Sequence, residues 1–146
     1  MKILIANDGS EFGDNAVKVA AGLLKGNAAA EIKVVTVIEP AAGTELETII
    51  ESTDELINME NPAYVTALRM VTASAEALAA SGMTSVLYEV LSGPPARRIV
   101  EAADEWKADL IVVGSHGRGY WSRAMLGSVS DRVTHHANCS VLVVRK

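Results

Sequence analysis

Basic residues are outnumbered, aromatics are rare and cysteine is nearly missing. Thirteen lysines and arginines face eighteen acids, a net charge of −5. That balance excludes a general affinity for DNA, RNA or acidic lipid, because nonspecific binding to polyanions draws on a basic surface. An anionic small molecule is still compatible with a local site. The single cysteine, Cys139, has no partner for an internal disulfide, which fits a reducing compartment. Aromatic residues make up 4% against 49% apolar residues, so the core must be built from Val, Ile, Leu and Ala. The opening residues MKILIANDGS hold one lysine and a five-residue apolar run, too short for a signal peptide or a membrane span. A cytoplasmic protein with no membrane partner is expected.

What is present alternates. With 146 residues, one domain over 1–146 is expected. KILIA leads into the turn residues NDGS, with Ser10 as a helix cap, and a helix follows with Phe12, Ala16, Val19, Ala20 and Leu23 on one face, stopped by Gly26. EIKVVTVIE is a β-branched run suited to a strand covered on both faces. Between 39 and 62, Thr44 and Glu47 have capping-box spacing, and Leu46, Ile49, Ile50 and Ile57 predict a short acidic helix. No lysine or arginine falls between Lys33 and Arg69, so this segment is a solvated helix face or, alternatively, a lid or partner surface. Pro62 opens a long helix through Leu68, Val71, Ala75 and Leu78, closed by Gly82. SVLYEVL, PPARRIVEAADEWK and DLIVVG read as strand, helix and strand. A last helix runs from about Ser128 to Asn138, before the strand SVLVVRK.

Strands alternating with helices predict an open five-stranded parallel sheet with helices on both faces, an α/β doubly wound fold. Right-handed crossovers favour the strand order 3-2-1-4-5. In that order the winding reverses between strands 1 and 4, and ligands of open α/β sheets bind at such a reversal. The two strand exits there are NDGS and GSHGRG, the most polar and glycine-rich in the chain.

Those exits suit an anion. Gly114, Gly117 and Gly119 would let backbone N–H groups approach closely and would permit positive φ. Gly127 and Ser128 stand where a helix begins, and exposed amides with the helix dipole favour phosphate there. Asp8 would repel phosphate directly, so its expected role is to accept from ribose hydroxyls or to help hold Mg²⁺. The bland alternative is turn chemistry: Asp8 and Ser10 capping a helix, the glycines merely turning the chain. A GxxxxGK sequence is missing, which excludes a P-loop NTPase, and Ser122 occupies the third glycine position of a dinucleotide fingerprint.

Gly114, Gly117, Gly127 and Ser128 form GxxGxxxxxxxxxGS. Together with NDGSE, ADLIVVGSHGRG, SGPPARRIVEAA and CSVLVVR, this pattern resembles the ATP-binding branch of the universal stress protein family over the whole chain. The resemblance implies a Rossmann-like fold, ATP as ligand with Mg²⁺ on its phosphates, and a role as a nucleotide-dependent stress or signalling module. It implies that Asp8 meets the ribose, that the backbone at Val37 meets adenine, and that Ala6 and Asn7 line the adenine pocket. The loop Gly114, Ser115, His116, Gly117 and Arg118 would meet ribose and phosphates, as would Gly127, Ser128, Val129 and Ser130. The alternative is a protein-interaction module of the same fold without nucleotide.

The remaining polar residues carry less. His135 and His136 are adjacent on a helix and point about 100° apart, so they do not chelate one metal easily. Arg97 and Arg98 are expected to be solvated or paired with Glu101, and Cys139 to be a small core residue. No triad surrounds His116, and neither a general base nor an arginine finger is evident, so at most slow ATP hydrolysis is expected and the chain is not read as an enzyme; no signature of adenylyl transfer stands out either. An apolar SVLVV strand at a sheet edge would leave its backbone unpaired, so a homodimer through Ser140 to Val144 is expected.

Overall fold

Ile3, Leu4 and Ile5 are each wholly excluded from solvent, and this fixes the plan of the molecule. Successive strand side chains point to opposite faces, so an unbroken apolar run needs cover on both. The computed structural model describes residues 1–27, 29–39, 61–117 and 125–145. Its elements are β1 (Lys2–Ala6), α1 (Glu11–Leu24), β2 (Glu31–Ile38), α2 (Pro62–Ala80), β3 (Val86–Ser92), α3 (Pro95–Trp106), β4 (Leu110–Gly114), α4 (Ser128–His136) and β5 (Ser140–Val144). All pairings are parallel and the order is β3-β2-β1-β4-β5, as expected from the alternation.

Two cores flank the sheet. Ile3, Ile5, Ile32, Val34 and Val112 pack with Ala16, Val17, Ala20 and Leu24 of α1 and with Val71 and Leu78 of α2. On the opposite face, Leu4, Val35, Ile111 and Val113 pack with Ile99, Ala102 and Ala103 of α3 and Val133 of α4. Each fully buried aliphatic side chain contributes about 1.5–3 kcal/mol, so the three of β1 anchor the fold.

The helix ends follow local chemistry. Ser10 caps α1 by accepting from Gly13 N at 3.1 Å, and Gly26 leaves the helix at a φ of 86°. Asn61 caps α2 ahead of Pro62, accepting from Ala63 N at 3.0 Å, and Gly82 follows its end at a φ of 96°. The acidic helix expected between 39 and 62 lies outside the described residues apart from Glu39, Asn61 and Pro62. Among the described residues no helix is long and apolar enough to cross a membrane.

One helix phase differs from expectation. The buried face of α1 is Gly13, Ala16, Val17, Ala20 and Leu24, whereas Leu23 is 67% exposed. Apolar residues at 16, 17, 19, 20, 23 and 24 fit two adjacent stripes of the 3.6-residue period. Steric contact at the first turn selects between them: a Cβ on Gly13 would overlap Asn7 Oδ1, so residue 13 must be the glycine that faces the β1 exit. Leu24→Ala is therefore expected to cost about 2–4 kcal/mol in urea unfolding, and Leu23→Ala about 0.5 kcal/mol or less. The opposite ranking would contradict this helix phase.

Candidate functional site

After β1 the chain passes to α1 on one face, and after β4 it passes to α4 on the other. Neighbouring strands that part in this way leave a crevice beyond their carboxyl ends. A cleft of about 800 Å³ opens there. It is lined by Ala6, Asn7 and Asp8 from the β1 exit, Val37 from β2, Gly114, His116 and Gly117 from the β4 exit, and Gly127, Ser128, Val129 and Ser130 at the start of α4. The fold thus gathers the expected residues, with two exceptions. Ser115 is buried behind the cleft wall, and Arg118 lies outside the described residues with Gly119, Tyr120, Trp121 and Arg123.

The β1 exit is a pair of side-chain-closed turns. Gly9 N donates to Asn7 Oδ1 at 2.8 Å, and Ser10 N donates to Asp8 Oδ1 at 3.0 Å. Gly9, at a φ of 74°, supplies the left-handed step this turn requires. Asn7 is buried, and its Nδ2 donates to Ser74 Oγ and Asp14 Oδ1, so its side chain is committed inward beneath the cleft floor.

The loop glycines serve close approach. Neither Gly114 nor Gly117 uses the positive φ that a glycine permits. A Cβ on Gly114 would lie 2.7 Å from the Phe12 carbonyl carbon, and one on Gly117 would lie 2.8 Å from Asp8 Oδ2. The first glycine admits the start of α1 against β4, and the second admits the Asp8 carboxylate. Phe12 also meets the His116 ring, with centroids 5.2 Å apart.

Ser115 pins the far side together. Its N–H donates to Val144 O at 2.7 Å, and its carbonyl accepts from Gly127 N at 2.7 Å and from Ser130 Oγ at 2.9 Å. Its hydroxyl lies 3.1 Å from His116 Nδ1. These bonds seat α4 with a glycine as its N-cap, a residue with no side-chain acceptor for the first-turn amides. Those amides and the positive end of the helix dipole border the cleft.

Val37 contributes through its backbone. Val35 O accepts from Asn7 N at 3.0 Å, and peptide groups two residues apart on a strand point the same way, so Val37 directs its N–H and C=O past the end of β1. The described lining contains the carboxylates of Asp8 and Glu39 but no lysine or arginine. Negative charge in the cleft would therefore be met there by amides and the α4 dipole. Sequence reasoning missed the opposite wall, made by Pro62, Ala63, Thr66, Ala67 and Met70 of α2 with Pro95 and Ile99 of α3. The available signal was that both helices follow strand exits at the same edge of the sheet.

The profile of the universal stress protein family matches residues 1–145. The chain belongs to that family. A universal stress protein of Methanocaldococcus jannaschii is 39% identical over 147 residues, covering 99% of this chain and 82% of the relative. The structure of universal stress protein UspA from Lactobacillus plantarum superposes with a TM-score of 0.79 at 25% identity, covering 99% of this chain and 97% of that one. A universal stress protein solved in complex with cAMP superposes with a TM-score of 0.72 at 24% identity, covering 99% and 96%.

Elsewhere in this universal stress protein the polar residues are structural or solvated. Arg97 and Arg98 both pair with Glu101, at 3.1 and 2.9 Å, and His135 and His136 are exposed. Among the described residues no three His, Cys, Asp or Glu side chains are grouped to hold a metal. Cys139 is half-buried against the α3–α4 core; burial pushes its thiol up, and the carboxylates of Asp104 and then Asp109 add to the effect. Its alkylation at pH 8.5 is expected to be slower than that of free cysteine and to quicken in Asp104→Asn; an unchanged rate would count against this electrostatic contribution. Gly114→Ala is expected to cost about 1–3 kcal/mol in denaturant unfolding without any ligand, because the new methyl meets backbone at Phe12. A neutral effect would contradict the close approach.

Proposed function

We propose that the protein binds ATP in this cleft and acts, as a homodimer, as a nucleotide-dependent stress or signalling module. The observation that carries the reading is the facing of two unlike ends across one cleft: the glycine-capped start of α4 and the Asp8 carboxylate. The first suits phosphate oxygens, and the second suits ribose hydroxyls. Val37 offers one peptide donor and one acceptor, which matches the edge of adenine. The cleft volume lies within the range of small-molecule sites. A family member of the same fold solved with cAMP supports an adenine nucleotide as the ligand class.

Asp8 is a hard oxygen donor suited to Mg²⁺, and with no carboxylate cluster among the described residues the phosphates would complete the ion's shell. Bound there, Mg²⁺ would offset charge between Asp8 and the phosphates. The dimer reading rests on β5, an edge strand whose Val141, Leu142 and Val143 are only partly buried. Pairing with the same strand of a second copy would satisfy both edges.

Isothermal titration with ATP and Mg²⁺ is expected to give micromolar binding, about −8 kcal/mol. Three or four charge-assisted hydrogen bonds of about 1.5–3 kcal/mol each would supply part of this, with apolar burial of the base offsetting the entropic cost of association. No heat and no thermal shift at millimolar nucleotide would overturn the ATP reading. Gly117→Val is expected to weaken binding at least about tenfold, since the added side chain displaces Asp8. A monomeric mass by light scattering at micromolar concentration would overturn the dimer.

A further inference from the structure

Asn7 is the point at which four cleft-bearing segments meet. Its N–H donates to Val35 O at 3.0 Å and its carbonyl accepts from the buried Thr36 hydroxyl at 2.9 Å, which ties the β1 exit to β2 just before Val37. Its Oδ1 accepts from Gly9 N at 2.8 Å, shaping the turn that holds Asp8. Its Nδ2 donates to Ser74 Oγ on α2 at 3.0 Å and to Asp14 Oδ1 on α1 at 3.1 Å. The residue is 3% exposed, and α1 leaves room for the amide only because residue 13 is glycine. Only a side-chain amide both accepts from Gly9 and donates to two oxygens; an ionised carboxylate keeps the acceptor and loses both donors.

We propose that Asn7 is the positioning residue for Asp8, setting where that carboxylate stands relative to the α1 and α2 walls. The assignment rests on the ATP reading, in which Asp8 accepts from ribose hydroxyls. It goes further by separating two recognitions: Asn7 would govern selection of the sugar, while the phosphates would be met by the β4 exit and α4, which none of these Asn7 hydrogen bonds reaches. Disturbing Asn7 should therefore erode preference for a ribose over a deoxyribose while triphosphate binding persists.

Titration of the full chain with ATP and with 2′-deoxy-ATP, at equal Mg²⁺, tests this. The native protein is expected to favour ATP about tenfold or more, the worth of one hydrogen bond to a charged acceptor. N7D sets a second carboxylate against Asp14 and should bring the preference within about twofold, with ATP affinity falling by more than 2′-deoxy-ATP affinity. N7D/D14N restores the pair with its polarity reversed and should recover the preference. Should N7D fail to fold, S74A, which removes one acceptor of Nδ2, is expected to reduce the preference several-fold. No ATP binding by the native protein overturns the underlying reading. ATP binding without ribose preference overturns the Asn7 assignment alone, as does an N7D or S74A protein that keeps the preference. Equal loss of both nucleotides, tracking a lowered melting temperature without rescue, overturns it too and leaves Asn7 a purely structural residue.

Discussion

The molecule depends on β1 being paired on both edges and covered on both faces. Ile3, Leu4 and Ile5 have no exposed surface, and β2 and β4 flank them in parallel register. Because the next connections leave to opposite faces, a strand whose three central residues are wholly buried ends at the open cleft. The polar turn from Asn7 to Ser10 can be held in place only if its amide and carboxylate close hydrogen bonds locally, and they do. Burial upstream and side-chain-closed turns downstream together give the cleft a rigid floor.

Packing sets the glycine pattern more than conformational freedom does. Gly13, Gly114 and Gly117 each face an atom that a methyl group would strike, and the atoms concerned belong to Asn7, Phe12 and Asp8. These three contacts draw the start of α1, the β1 exit and the β4 exit toward one another. A glycine spacing that reads as an anion-binding signature is thus equally a record of how closely two strand exits approach. The two meanings are compatible, since close approach is what would bring backbone amides to a ligand.

Strand order and helix ends were legible in the sequence because their causes are local. Strands covered on both faces must be apolar throughout, and Ser10, Pro62, Gly26 and Gly82 mark ends through their own dihedral and hydrogen-bonding preferences. The site was legible as two strand exits and a helix start. What was not legible depends on distance in the chain. The phase of α1 is decided by Asn7 six residues before Gly13. The inward commitment of Asn7 depends on Ser74, sixty-seven residues away. Ser115 reads as a loop hydroxyl, yet its backbone joins β5 to α4, and no local pattern announces that.

The charge balance of the cleft limits what it can select. Among the described lining residues, Asp8 and Glu39 contribute negative charge, with no lysine or arginine beside them. Among the described groups, a triphosphate would be drawn in by amides and the α4 dipole, within about one helical turn of Gly127. Away from that end, the cleft favours neutral donors such as hydroxyls, which can give hydrogen bonds to a carboxylate. In the proposed complex this arrangement would order the ligand along the cleft, with its anionic end at α4 and its hydroxyl-bearing part at Asp8. That polarity follows from where the chain places one helix start and one carboxylate, and it is independent of the wall between Val37 and α2.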